Sequence, residues 1–267
     1  MTQSARLVLL RHGQSEWNAA GIFTGWENAH LTAHGEAEAA RAGSMLAGHG
    51  VLPAFVHTSL QHRTIRTADL ALAAADRDWI PVRRSWRLNG RHYGALQGLN
   101  KDQVLRQYGQ RQFRLWRRSY DVTPPSATAE AWRLQLADPR YAMLPPEMQP
   151  RAESLRDVSA RLLPYWYDAI VPDLLDGGCV LVVSHGNTLR ALVKHLESIP
   201  DDQIAGLDIP TGIPLLYELG PDLLPDDLGG QYLDPHACDT AARELGKPGL
   251  DPDIALAASH GHRLIAS

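Results

Sequence analysis

Two histidines follow short apolar runs that predict buried strands. Arg11 and His12 follow Leu7–Leu10, and His185 follows an apolar run at 179–183. Uninterrupted apolar runs of this length are typical of strands covered on both faces. Ligands bind beyond the carboxyl ends of the strands in open α/β sheets. If the two strands lie parallel and close together, both imidazoles face one site.

A pair of histidines among arginines suggests phosphoryl transfer. A neutral imidazole, here that of His12, can attack phosphorus and form a phosphohistidine. The transferring group carries charge on three equatorial oxygens, so the site must be cationic. Arg11, Arg63 and a protonated His185 are candidates for that charge. Guanidinium groups also bind carboxylates and phosphates through paired hydrogen bonds. Candidates for holding a second anion are Lys101, Arg117 and Arg118.

Each of these features also has an ordinary structural explanation. A single histidine after a strand is more often structural, but two His-Gly strand ends rarely arise by chance. The basic segment 101–118 alone would more often be a solvated helix face, and beside an anion site the functional interpretation is favoured. A metal site at His12 and His185 lacks nearby cysteine or carboxylate ligands, and arginines would repel a cation, so we expect no metal. The pair His260 and His262 lies in an alanine-rich tail, and we expect no role for it.

Composition is that of an ordinary globular chain. Of 267 residues, 44% are hydrophobic and the net charge is -4, so a full core is expected and nothing favours nucleic acid. The two cysteines are Cys179, at the start of a predicted buried strand, and Cys238, in the tail. We therefore expect no disulfide framework and a reducing cytoplasm. We also expect no signal peptide, and no apolar run approaches the roughly 20 residues that span a bilayer.

Strands and helices alternate along the chain, which indicates an α/β fold with helices covering both faces of a parallel or mixed sheet. We expect one catalytic domain over 1–235, in which an insertion at about 88–150 forms a site wall or lid, and a tail at 236–267. The predicted strands lie near 52–57 and 81–84 and within 209–219. The predicted helices are 33–48, 61–75, 101–119, 153–173 and 188–197. Thr32 is expected to cap the first of them and Asn187 the last, and Pro164 is expected to kink the helix at 153–173. The proline-rich stretch 121–150 is expected to be a long surface loop.

The motifs at these positions resemble a known family. Arg11-His-Gly followed by Ser15, Trp17 and Asn18 resembles the histidine phosphatase superfamily. Further strings resemble, within it, the cofactor-dependent phosphoglycerate mutases, and the match runs from about residue 6 to 235. These strings are Phe23–Trp26, His92–Gly98, Trp116–Arg118, Ser184–Asn187 and Ile209–Pro214.

The resemblance implies a three-layer α/β/α sandwich with a mostly parallel central sheet, usually in a homodimer or homotetramer. It implies a cytoplasmic enzyme of glycolysis and gluconeogenesis that interconverts 2- and 3-phosphoglycerate. A phosphohistidine at His12, primed by 2,3-bisphosphoglycerate, would carry the phosphoryl group, and His185 would stabilise the transition state. The resemblance also makes Arg11 and Arg63 catalytic residues. It assigns phosphate or substrate contacts to Ser15, Asn18, Thr24, Gly25, Arg91, His92, Tyr93, Lys101, Arg117, Arg118, Gly186 and Asn187.

Two positions depart from the family pattern. The family has its general acid/base glutamate where this chain has Gly90, and it usually has glutamate at Gln14. Both changes remove negative charge, and the first is expected to open space near the site. Loss of a general acid typically costs about 10²–10⁴ in rate. We therefore expect slow mutase turnover or a changed phosphorylated acid, with a phosphatase and a non-catalytic binder of phosphorylated ligands as alternatives.

Overall fold

The computed structural model describes residues 5–237, which contain one six-stranded sheet in the order β3-β2-β4-β1-β5-β6. Strands β1 to β4 run parallel, whereas β5 is antiparallel to β1 and β6 is antiparallel to β5. The predicted parallel pairing of the two histidine strands, β1 and β4, is confirmed. The strands are β1 Ala5–Arg11, β2 Phe55–Thr58, β3 Val82–Arg84, β4 Cys179–Ser184, β5 Leu215–Leu219 and β6 Gln231–Tyr232.

Helices cover both faces of this sheet. The α-helices of the described residues are α1 Glu16–Ala19, α2 Ala33–Gly48, α3 His62–Ala74, α4 Lys101–Arg118, α5 Ala129–Leu136, α6 Leu155–Tyr165, α7 Val171–Gly177 and α8 Gly186–Leu196. A π-helical turn, Trp166–Ile170, joins α6 to α7 just beyond Pro164. Proline removes one helical hydrogen bond, so the predicted kink takes the form of this widened turn.

The alternation of side chains along β1 divides the core into two layers. Leu7 and Leu9 pack with α6 and α8 on one face of the sheet. Val8 and Leu10 pack with α2 and α3 on the other face. Successive side chains of a strand point to opposite faces, so an apolar run without alternation requires cover on both sides. The predicted three-layer α/β/α sandwich with a mostly parallel sheet is confirmed.

Two predictions of local structure are wrong in detail. The stretch 121–150 contains α5, a largely exposed helix of 8 residues whose apolar period is too short to identify in the sequence. Helix α8 is capped by His185 rather than Asn187, because its first turn begins directly at the strand end. The segment after Leu219, for which no element was predicted, returns to the sheet as β6.

Helix α4 is interrupted at Gly109, where φ is 78° and ψ is 161°. This conformation is essentially restricted to glycine. The two halves of α4 meet at an angle there, and a small third cluster of Phe23, Leu96 and Trp116 packs beneath them.

Among residues 5–237, no helix is long and apolar enough to cross a membrane. Cys179 is buried as a free thiol, and burial raises its pKa to about 11. Cys238, His260 and His262 lie outside the described residues.

Candidate active site

The two histidines meet at the carboxyl edge of the sheet. In the β1–β4 register Arg11 lies opposite Ser184, so His12 and His185 are the next residues of adjacent parallel strands. Their ring centroids are 4.9 Å apart and the rings are inclined at 66°. Both side chains are 96% buried. A pair of neighbouring strand ends therefore supplies the centre of the site.

The hydrogen bonds of His12 determine its protonation. Its Nδ1 lies 2.7 Å from the carbonyl oxygen of Gly13, which can only accept, so Nδ1 carries the proton. Nε2 is then the lone-pair nitrogen, and it accepts a hydrogen bond from Nε of Arg63 at 3.3 Å. Burial, followed by the charges of Arg63 and Arg11, lowers the pKa of His12 well below its usual range. The ring is a neutral imidazole with Nε2 in the form required of a nucleophile.

Arg63 supplies fixed positive charge beside this nitrogen. It lies in the first turn of α3, which follows β2, and only 2% of its surface is exposed. Its guanidinium donates to the carbonyls of Glu27 at 2.7 Å and Gly25 at 2.9 Å. Arg11 donates to the carbonyl of Ile209 at 2.6 Å. The amino end of α8 also points to this part of the pocket, where backbone amides favour an anion.

A second group of cations, Arg91, Lys101, Arg117 and Arg118, lines the same pocket. Arg91 is 99% buried and lies with its guanidinium 4.5 Å from the centre of the Tyr93 ring. Burial alone would raise the pKa of Tyr93, but Arg91 and Arg117 lower it to about 7. The Tyr93 hydroxyl accepts a hydrogen bond from Nδ2 of Asn187 at 3.0 Å. Burial, with Arg117, lowers the pKa of Lys101 to about 8. The pocket thus carries two groups of cations, which suits an acid that carries two anionic groups.

The predicted site residues line one pocket, with two exceptions. Ser15 is fully buried and caps α1, where its hydroxyl accepts from the backbone amide of Asn18 at 3.2 Å. The His92 ring accepts from the amide of Gly94 at 2.9 Å and contacts Gln135, outside the pocket. Gln14 also lies outside it, bonded to Thr32. These residues support the walls and do not face the pocket.

Sequence reasoning missed two charged residues of the pocket. Arg190 is one turn beyond Asn187 on α8, and it donates to Oδ1 of that amide at 2.8 Å. Asp208 pairs with Arg118 at 3.2 Å and is the one carboxylate that lines the pocket among residues 5–237. The helical spacing of Arg190 was available from the sequence, whereas nothing local distinguishes Asp208 from other loop aspartates. The apolar wall residues Ile22 and Phe23 were also missed.

Gly90 does not leave a void where a side chain would begin. A Cβ atom built there would lie 3.2 Å from the carbonyl oxygen of Gly25, 3.3 Å from Cγ of His185 and 3.4 Å from a guanidinium nitrogen of Arg63. The first atom of a side chain at this position would therefore meet close contacts, although Gly90 itself lines the pocket. The backbone of Gly90 is held by Gln61, whose Oε1 accepts from its amide at 2.8 Å.

Several buried donors of the pocket have no hydrogen-bond partner within residues 5–237. They are Nε of Arg11, Nε and one terminal nitrogen of Arg91, and Nε of Arg190, with the Thr24 hydroxyl beside them. Buried polar groups are nearly always paired, so unpaired guanidinium nitrogens at a pocket indicate that an anionic ligand completes them. Within the same residues no group of histidine, cysteine and carboxylate side chains is arranged to hold a metal.

Comparison with known proteins gives a consistent picture. The profile of the histidine phosphatase superfamily (branch 1) matches residues 7–135 and 127–213. A 2,3-bisphosphoglycerate-dependent phosphoglycerate mutase of Streptomyces avermitilis is 59% identical over 91% of this chain and 96% of its own length. The enzyme of the same name from Thermobifida fusca is 58% identical over 91% of this chain and 98% of its own. That of Mycobacterium bovis is 54% identical over 93% and 99%.

Solved structures agree on the fold. A mycobacterial glucosyl-3-phosphoglycerate phosphatase in complex with VO3 has a TM-score of 0.61 and 24% identity, covering 80% of this chain and 92% of its own. A putative alpha-ribazole-5'-P phosphatase from Escherichia coli has a TM-score of 0.59 and 22% identity, covering 85% and 100%. At this level of identity the likeness concerns the fold alone.

Proposed function

The chain belongs to branch 1 of the histidine phosphatase superfamily, and on that premise we propose that it is a phosphotransferase of the phosphoglycerate mutase type. It interconverts 2- and 3-phosphoglycerate through a phosphohistidine on Nε2 of His12. The observation that carries the proposal is the neutral His12, whose lone-pair nitrogen lies beside Arg63 in a pocket lined by arginines and Lys101. Relatives at 54–59% identity, all named as mutases, support the choice of substrate.

Different pocket residues have different roles in phosphoryl transfer. Arg11, Arg63 and the amino end of α8 stabilise the charge on the equatorial oxygens while Nε2 of His12 attacks. Arg91, Tyr93 and the basic residues of α4 hold the carboxylate of the phosphorylated acid. Because both ends are anchored, the oxygen that loses or gains the phosphoryl group is positioned beside His12.

The same residues fit 2,3-bisphosphoglycerate as the priming donor, which the names of the relatives imply. When bound, it supplies the phosphoryl group that His12 carries. The unpaired nitrogens of Arg11, Arg91 and Arg190 belong to residues that line the pocket, where they can donate to the anionic groups of such a ligand.

Gly90 favours a second candidate function. With no carboxylate beside His185, a water molecule or a different phosphorylated acid can take the place of phosphoglycerate as phosphoryl acceptor, which makes the protein a phosphatase or a mutase of another acid. A non-catalytic binder is the least favoured alternative, because binding alone does not require a neutral His12 with its lone pair on Nε2. We also propose a cytoplasmic homodimer or homotetramer, which light scattering of the purified chain tests.

The deciding experiment is intact-mass analysis of the protein mixed with 2,3-bisphosphoglycerate. We expect one phosphoryl adduct, located on His12 by fragmentation, and its discharge by 3-phosphoglycerate to regenerate the free protein. His12→Ala is expected to give no adduct with an unchanged circular dichroism spectrum. An adduct on any other residue of that variant would refute the assignment. Discharge by water alone, at the same rate with and without acceptor, would favour the phosphatase.

A further inference from the structure

Two hydroxyl groups connect His185 to the protein interior on the side away from the pocket. Thr64 Oγ1 donates to the carbonyl oxygen of Gln61 at 2.9 Å. Ser59 Oγ lies 2.6 Å from Thr64 Oγ1 and 3.1 Å from Nε2 of His185. Ser59 and Thr64 are fully buried, and neither lines the pocket. We call Thr64, Ser59 and His185 the hydroxyl relay.

Counting protons along the hydroxyl relay determines the tautomer of His185. Each hydroxyl has one proton to donate. The proton of Thr64 points to the Gln61 carbonyl, so Ser59 must be the donor in the bond between the two hydroxyls. Ser59 Oγ is then an acceptor for its other contacts, the backbone amide of Gln61 at 3.1 Å and Nε2 of His185. The proton of the neutral ring therefore lies on Nε2, and Nδ1 holds the lone pair.

Nδ1 is the nitrogen of His185 that remains for chemistry. The hydrogen bond to Ser59 uses Nε2, and the ring lines the pocket beside His12. Transfer to or from an alcohol oxygen requires a group that takes or gives a proton there. Asp208, the one lining carboxylate of the described chain, is occupied by Arg118, and Gly90 offers no side chain.

Within the proposed phosphohistidine reaction, on which this inference rests, we propose that Ser59 and Thr64 are positioning residues that hold His185 in its Nε2-protonated form. Nδ1 of His185 is then the general acid and base at the transferred oxygen. In the transfer from His12 to an alcohol, the new O–P bond forms, and the electrons of the N–P bond return to Nε2 of His12. The hydroxyl proton moves to Nδ1 of His185, and the reverse transfer returns it.

The charges around His185 suit this role. Burial comes first among the causes that lower its pKa, followed by Arg63, His12, Arg161 and Arg11. The ring is therefore neutral and ready to accept a proton before transfer begins. The negative charge of a bound phosphoryl group offsets these cations and stabilises the imidazolium that forms.

The test is Thr64→Val in the full chain, which removes the acceptor of the Ser59 proton. That proton is then free to turn toward Nε2 of His185, and we expect the ring proton to move to Nδ1. Nitrogen NMR of protein labelled with ¹⁵N-histidine distinguishes the two tautomers, with His185→Asn used to assign the signals. Discharge of the phosphoenzyme by 3-phosphoglycerate is expected to slow at least about 10-fold.

Two variants serve as controls. Thr64→Ser keeps the hydroxyl and is expected to restore both the tautomer and the discharge rate. Ser159→Ala removes a comparably buried hydroxyl, which donates to the carbonyl of Leu155 on α6, and is expected to change neither. If Thr64→Val slows the reaction only by damaging the fold, the proton of His185 stays on Nε2, and the nitrogen NMR spectrum shows this.

Either of two results overturns the proposal. One is a His185 tautomer that is unchanged in Thr64→Val, and the other is a discharge rate that does not fall when the tautomer changes. Failure of the proposed function is distinguishable, because the wild-type protein would then take no phosphoryl group from 2,3-bisphosphoglycerate. The acid/base role of Nδ1 would then be refuted together with the proposed function. The tautomer of His185 would still be measured, because its NMR spectrum requires no reaction.

Discussion

At the scale of single residues, the site combines a well-defined nucleophile with a glycine next to the second histidine. His12 is held as a neutral imidazole by Gly13 and Arg63. Gly90 has a backbone conformation that any residue can adopt, because its φ lies outside the left-handed region. The chemistry at position 90 is therefore limited by contacts of a side chain with its neighbours and not by the backbone.

Gly90→Glu is expected to raise turnover of 3-phosphoglycerate at least about 10-fold, toward the low end of what a positioned acid supplies. A carboxylate beside His185 either handles the proton itself or raises the pKa of that ring, which burial and Arg63 lower. Steady-state rates under saturating 2,3-bisphosphoglycerate measure the effect. The neighbours of the new Cβ must move by a few tenths of an ångström, which limits the gain.

Gly90→Ala and Gly90→Gln separate the carboxylate from the steric effect of a side chain at position 90. Alanine adds only the close Cβ contacts, and glutamine adds the length without the charge, so neither is expected to accelerate the reaction. If the parent enzyme already turns over at about 10 to 10³ per second and Gly90→Glu brings no gain, the glycine is not limiting.

At the scale of elements, α4 supplies cations from both of its ends. Lys101 begins the helix and Arg117 and Arg118 end it, and all three line the pocket. A straight helix of 18 residues is about 27 Å long, so its two ends would lie far apart. The break at Gly109 allows the two halves to turn toward the same pocket.

Gly109→Ala is expected to lower the free energy of unfolding by about 1–3 kcal/mol, because alanine is strained at a φ of 78° and a ψ of 161°. A new Cβ would contact nothing within 4 Å, so the cost is one of backbone conformation alone. Urea denaturation measures it. Gly48→Ala is the matched control, since that glycine ends α2 in ordinary helical conformation with equally open space, and it is expected to be neutral or slightly stabilising. Equal effects of the two substitutions would contradict the assignment of strain to Gly109.

At the scale of the whole molecule, four buried histidines connect stability to pH. They lie on different elements. His57, on β2, contacts Asp173 at 2.9 Å and the Tyr165 hydroxyl at 2.9 Å and does not line the pocket. Burial lowers the pKa of His57 to about 4, although Asp173 acts in the opposite direction. Burial is also the main cause that lowers the pKa of the other three, which are His12, His92 and His185.

The free energy of unfolding is expected to fall as the pH drops from about 6.5 toward 4. In that window the unfolded chain binds protons at these histidines and the folded chain does not, so each contributes up to about 1.4 kcal/mol per pH unit. Above pH 6.5 these rings are neutral in both the folded and the unfolded chain, so none of this stability is lost there. Denaturant titrations between pH 7 and 4.5 measure the slope, and His12→Ala is expected to reduce it by the share of one histidine. A stability that is constant over this range would contradict the neutral state of the buried rings.

The sequence by itself determined the elements and the centre of the site. Apolar runs and helical periods are local properties, so β1, β4, α2 and α3 were predictable within a few residues of their observed bounds. The adjacency of His12 and His185 followed from two parallel strands that end in the same pattern. The short exposed α5 was not predictable, because eight residues among prolines carry too little periodicity.

Only the tertiary structure decided which groups face the pocket and where the protons lie. Ser15 and His92 belong to the motifs yet point into the walls, whereas Asp208 enters from a loop with no local signal. The tautomer of His185 depends on Ser59, which lies 126 positions away in sequence. The direction of a side chain and the sharing of a proton arise from contacts between strand ends that are distant in the chain, and no local pattern of residues encodes them.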